Sequence, residues 1–140
     1  MLLLAALAFG CAGSRKATIL SVSDPPLGDE GQLTHGLGVS AVGGNITTVL
    51  PQGCSLPCDS TFDLRTTRDG QERVSLSFHT VGKRTTSIGG IQIVGIPRAP
   101  AGEREVEVTI RAAKTKLTVK AFEKQSGEPL EVRTLLDVAP

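Results

Sequence analysis

The chain has 140 residues, enough for one domain around a single hydrophobic core with short extensions at its ends. Its 15 Lys and Arg against 14 Asp and Glu leave a formal charge of +1, which creates no field to attract nucleic acid or an anionic membrane. Four Phe with no Tyr and no Trp leave little surface for stacking on bases, so nucleic acid is not an expected partner.

The chain opens on "MLLLAALAFGC". Leu2 to Gly10 is apolar and long enough for a signal-peptide core, but about half of the roughly 20 residues that span a bilayer. Residues 1–12 therefore read either as a signal-like segment or as a remnant of a helix. In the first reading, the small residues before Cys11 resemble a bacterial lipobox, and Cys11 would carry a lipid. Against it, no Lys or Arg precedes the run, and Phe9 is bulky for its place.

Residues 13–36 ("GSRKATILSVSDPPLGDEGQLTHG") are mostly polar or turn-forming, with Pro25-Pro26 and a Gly-Asp-Glu-Gly cluster that suits no regular element. They read as a linker with one short extended piece at Thr18 to Val22. The Asp29-Glu30 pair serves solubility.

From Leu37 the pattern changes to short alternating runs between Gly, Pro and charged turns, the signature of strands. Leu37 to Ala41 and Ile46 to Leu50 flank Gly43-Gly44, a natural hairpin turn because glycine accepts positive φ. Thr61 to Thr67 and Arg73 to His79 flank a second turn at Asp69-Gly70. In the latter strand Val74, Leu76 and Phe78 share one face, while Ser75, Ser77 and His79 share the other. Ile88 to Ile96 is dense enough in apolar residues for a central strand. Glu105 to Ala112 alternates cleanly, with Val106, Val108 and Ile110 inward. Leu117 to Phe122 and Leu130 to Leu135 complete eight strands, joined by "KQSGEP". The expected fold is all-β, an eight-stranded antiparallel β-sandwich over residues 37–136.

Chemistry-bearing residues are sparse. The spacing in "CSLPC" is CxxxC, not the CxxC of redox or zinc sites, and only His35 and His79 could join Cys54 and Cys58 around a metal, so none is expected. An oxidising compartment would let Cys54 and Cys58 pair. No GxSxG elbow occurs, each His is isolated, and His79 sits on an outward strand position that suits a solvated imidazole. The chain is not expected to be an enzyme.

Several separated segments resemble the peptide-binding β-sandwich of the 70-kDa heat-shock (DnaK-type) chaperones. "LGVSAVGG" is similar to that family's "LGIETxGG", and "TTVLPQGCSLP" to its "TxLIPRNTTIP". "FDLRTTRDGQERVSLSFHTVG" is similar to "QxFSTAxDNQxxVxIxVxQGE". The most specific segment, "IGGIQIVGIPRAPAGEREVEVTI", resembles "LGxFxLxGIPPAPRGxPQIEVTF". The likeness runs from about Leu37 to Leu135. It also offers the second reading of residues 1–12, since "ALAFGCA" resembles the family's last ATPase-domain helix.

What the resemblance implies is a channel for an extended, unfolded polypeptide, with one apolar side chain dropped into a pocket. By position, Val74 falls at the pocket floor and Val39, Leu64, Leu76 and Val106 at its walls. Val42 and Thr67 fall at the arch over the peptide, with Thr67 a weaker lid because it carries a hydroxyl. The expected partners are unfolded segments and a separate ATPase domain or co-chaperone. The expected cofactor is none, with ATP entering only through an upstream ATPase domain, because no phosphate-binding glycine motif is present. The family's apolar interdomain linker is replaced by "GDEG", and no helical lid follows the sandwich before Pro140, so weak nucleotide control and fast peptide exchange are expected. The chaperone reading implies a cytoplasmic protein. The alternative is a lipid-anchored envelope sandwich with a structural or adaptor role, touching membrane only through Cys11.

Overall fold

The computed structural model describes residues 17–22, 27–41, 44–82 and 84–134. In chain order the strands are β1 (Thr18–Ser21), β2 (Gly28–Asp29), β3 (Gln32–Leu33), β4 (Gly36–Ala41), β5 (Thr47–Leu50) and β6 (Cys58–Arg65). They continue with β7 (Arg73–Val81), β8 (Thr85–Val94), β9 (Glu105–Ala112), β10 (Lys116–Glu123) and β11 (Pro129–Thr134). Residues 1–12, Cys11 among them, and Val42 lie outside the described residues.

Eight of these strands form one antiparallel path in the order β5-β4-β7-β8-β11-β10-β9-β6. The path folds over at β11, whose first residues pair with β10 through Leu130 and Pro129, while Glu131 to Thr134 pair with β8. One layer is thus β5-β4-β7-β8 and the other β10-β9-β6, and the two ends of the path, β5 and β6, come back alongside each other. This is an all-β, nearly closed sandwich. Among the described residues no helix is long and apolar enough to cross a bilayer.

Alternation creates the two layers. On β9, Val106, Val108, Ile110 and Ala112 are buried while the residues between them face outward, so a strand rich in β-branched residues presents one dry face. Across the gap it meets Leu37 and Val39 of β4, Leu76 and Phe78 of β7, and Ile91 and Ile93 of β8, all in one core. The Asp69-Gly70 turn forms as its residues dictate, with Gly70 at φ +68°, and it is clasped to the loop after β8. There the Gly70 N–H donates to Ala99 O at 2.9 Å and the Ala101 N–H to Asp69 Oδ1 at 2.8 Å.

The stretch read as a linker is docked in its described part. β1 pairs with β10 from Thr18↔Val119 to Ser21↔Lys116, filling the opening left where β11 leaves β10 for β8. The Thr18 hydroxyl donates to Val132 O, and Leu20, Val22, Leu27 and Leu33 are buried. The Gly-Asp-Glu-Gly cluster does adopt regular structure: β2 and β3 form a small hairpin whose turn, Glu30-Gly31, has both φ values positive (52° and 77°). The hairpin reaches the loop between β5 and β6 through Leu56 N–H to Gly31 O (2.8 Å) and Leu33 N–H to Cys54 O (2.9 Å). In that loop Cys54 and Cys58, with Cα atoms 6.1 Å apart, are joined by a disulfide.

Among the described residues, one charged side chain is fully buried. Glu123, at the end of β10, accepts hydrogen bonds from the Gln125 N–H (3.0 Å), the Ser126 N–H (2.9 Å) and the Ser126 hydroxyl (2.7 Å). Arg104 stands 3.8 Å away. The carboxylate thereby ties the "KQSGEP" turn to the sheet.

Candidate functional site

Two depressions open where the ends of the strand path approach each other. Register places Val39 of β4 opposite Phe78 of β7, and Ala41 opposite Leu76, so Val39, Ala41 and Leu76 share the inner face. On β6, alternation turns Phe62 and Leu64 to the same interior, and β5 contributes Val49. Among the described residues both β5 and β6 end the path, each paired along one side only. The first depression, about 240 Å³, lies between them and is lined by Val39, Ala41, Val49, Phe62, Leu64 and Leu76, with Ser40, Asn45, Thr47 and Asp63 also around it. Val39 and Leu76 are almost closed off, at 7% and 2% exposed, so the reachable apolar surface belongs to the half-buried Val49, Phe62 and Leu64. Asp63 accepts a hydrogen bond from Lys124 Nζ at 3.2 Å, and that contact raises the pKa of Lys124.

The second depression, about 430 Å³, is polar. Ala41 lines it too, together with Thr67, Arg68, Gln71, Arg73, Val74 and Ser75. Gln71 braces its wall: its Oε1 accepts from the Thr67 N–H at 2.8 Å and its Nε2 donates to Arg73 O at 2.9 Å. Amide side chains suit this role because they carry a donor and an acceptor on one planar head.

The structure therefore distributes the residues singled out from the sequence. Val39, Leu64 and Leu76 meet around the apolar depression; Thr67 and Val74 meet around the polar one. Val106 is 1% exposed, pairs with Leu64 in register, and lines neither, so it backs Leu64 from within the core. Val42 lies outside the described residues.

Sequence reasoning missed Val49, Phe62, Arg68, Gln71 and Arg73. The alternation in "TFDLR" puts Phe62 on the face of Leu64 and could have signalled it. Nothing in the sequence said that β5 and β6 would meet. His79, expected as a solvated imidazole, is half-buried, with Nε2 3.0 Å from Ser40 Oγ on the face opposite Val39. Its register partner is Gly38, which has no side chain to hold it away from the sheet.

Known proteins bear on this geometry. Residues 5–135 match a family model described as Hsp70 protein. Among curated proteins, heat shock cognate 70 kDa protein 3 of Dictyostelium discoideum is 29% identical over 109 residues, covering 75% of this chain and 16% of that protein. The chain thus spans under one fifth of the length of this relative. With a family model matching nearly its whole length and an all-β sandwich built from the matched residues, the chain belongs to the Hsp70 family.

Proposed function

We propose that this chain acts as a chaperone-type peptide-binding module, holding extended apolar segments of unfolded proteins in the opening between β5 and β6. The observation that carries the reading is the apolar depression of about 240 Å³, bordered by two strands with free edges. A buried Leu-sized side chain is worth about 1.5–3 kcal/mol. Each backbone hydrogen bond from an edge adds about 0.5–1.5 kcal/mol and is indifferent to sequence. Ordering a flexible peptide offsets much of this, so affinity is weak and specificity broad. In this reading the sandwich binds and does no chemistry; ATP belongs to a separate ATPase domain, and the setting is the cytoplasm.

Leu64→Glu tests it. Leu64 is half-buried, so the new carboxylate can reach solvent while lining the depression with charge that an apolar side chain must desolvate. Fluorescence anisotropy with a Leu-centred peptide is expected to show at least about tenfold weaker binding, equivalent to about 1.4 kcal/mol. Unchanged affinity in a variant with the wild-type circular dichroism spectrum would overturn the assignment.

A further inference from the structure

We propose that the polar depression beside the Asp69-Gly70 turn receives a carboxylate, so that the site prefers extended segments with Asp or Glu two positions from the anchoring apolar residue. This rests on the peptide-binding reading above and adds a charge rule to it.

Arg68 and Arg73 line this depression with Thr67, Gln71 and Ser75, and among the described residues no carboxylate lines it. Arg65, Arg104, Arg111 and Arg133 each have a carboxylate oxygen within 3.8 Å, whereas among the described residues Arg84 and Arg98 have none. Among the described residues, neither Arg68 nor Arg73 has such a partner. The turn does carry acids, but Asp69 is held by the Ala101 N–H at 2.8 Å and Glu72 does not line the depression. Arg98 adds a third positive charge behind the turn, since a Cβ on Gly70 would stand 3.0 Å from its Nη2. Two exposed guanidinium groups lining one depression with the Thr67 and Ser75 hydroxyls supply donors of the kind that suit a planar carboxylate.

The spacing follows from β7. Leu76 lines the apolar depression and Val74 the polar one, two residues apart on one face, which is about 7 Å along a strand. An extended peptide also advances about 7 Å in two residues. A nucleic-acid phosphate fits the same donors less well as a partner, because the chain has a net charge of only +1 and four aromatic residues.

The test is calorimetric titration of the full chain with three Leu-centred peptides that differ two positions from the Leu: neutral, Asp and Lys. Exposed pairs are individually weak, so at low salt the Asp peptide is expected to bind about fivefold tighter than the neutral one, and the Lys peptide weaker than both. In the Arg68→Gln/Arg73→Gln double variant the ratio of Asp to neutral affinity is expected to fall to about one. Equal binding of Asp and neutral peptides, or a ratio that survives in the double variant, overturns the charge rule while leaving peptide binding intact. Failure of all three to bind overturns the peptide reading itself and the charge rule with it. Inorganic phosphate that abolishes the Asp preference supports an anion site in the depression; phosphate binding with no discrimination among the peptides overturns the proposal.

Discussion

Replacing Phe78 with Ala is expected to remove about 3–5 kcal/mol of stability, read as a lower urea midpoint with an unchanged slope. Phe78 is the largest fully buried side chain among the described residues. It sits mid-way along β7, the strand that joins β4 to β8, opposite Val39 on one side and Gly89 on the other. Truncation leaves a void in a core where the residues beside it in register, Val39, Leu76 and Ile91, are themselves buried and fixed by the ladder, so the core cannot collapse to fill it. Domains of this kind are held by roughly 5–15 kcal/mol in total, so the variant approaches the limit of folding. Phe78→Leu keeps most of the volume and is expected to cost under about 1.5 kcal/mol. A loss below about 1 kcal/mol for the Ala variant would mean that the two layers do not meet at this ring.

The second large effect belongs to Glu123. Its removal as Glu123→Ala is expected to cost about 1–3 kcal/mol, because the buried donors of Gln125 and Ser126 would lose their acceptor and the partly exposed Arg104 its carboxylate. Arg104 is poorly placed to be abandoned, since its Nε is already buried without a hydrogen-bond partner. Burial pushes the Glu123 carboxyl up, but hydrogen bonds from Ser126 and Gln125 and the nearby Arg104 outweigh it and hold the pKa below the ordinary 4.5. A folded value below the unfolded one means that this stabilisation is complete above about pH 4.5 and is lost as pH falls through the lower folded value. The stability gap between wild type and Glu123→Gln is therefore expected to be flat near neutrality and to close on acidification, measured by urea titrations across acidic pH. A gap that widens towards low pH would contradict the assignment.

The eight strands of the sandwich were legible because each carries its own evidence. Alternation in "EVEVTIRA" and "RVSLSF" fixes which side chains turn inward, and Gly and Asp mark the turns between them. The β2–β3 hairpin was not legible, whereas β1 was, as the extended piece at Thr18 to Val22, though not its pairing with β10. β2 and β3 have two residues each, too short for any period, and the four residues of β1, exposing Ile19 while burying its neighbour Leu20, show extension but not the strand they join. Their order comes from docking on β10 and on the loop closed by Cys54 and Cys58.

The candidate site divides the same way. Strand periodicity puts Val39, Leu64, Leu76 and Val106 inward alike, yet only the closure of β5 on β6 decides that the first three border an opening and that Val106 is walled off behind Leu64. Arg68 and Arg73 carry no signal in sequence either, because an unpaired guanidinium is recognised only when the positions of all the carboxylates are known.

The central claim is that an extended chain seats its apolar side chain between β5 and β6, and titrating a Leu-centred peptide into the isotopically labelled protein while following backbone amide resonances tests it most directly. Shifts concentrated at Val39, Val49, Phe62, Leu64 and Leu76, spreading to Thr67 and Gln71, are the expected result. Shifts confined to the opposite end of the sandwich strands, around Glu123 to Glu128, or no shifts at saturating peptide, would contradict it.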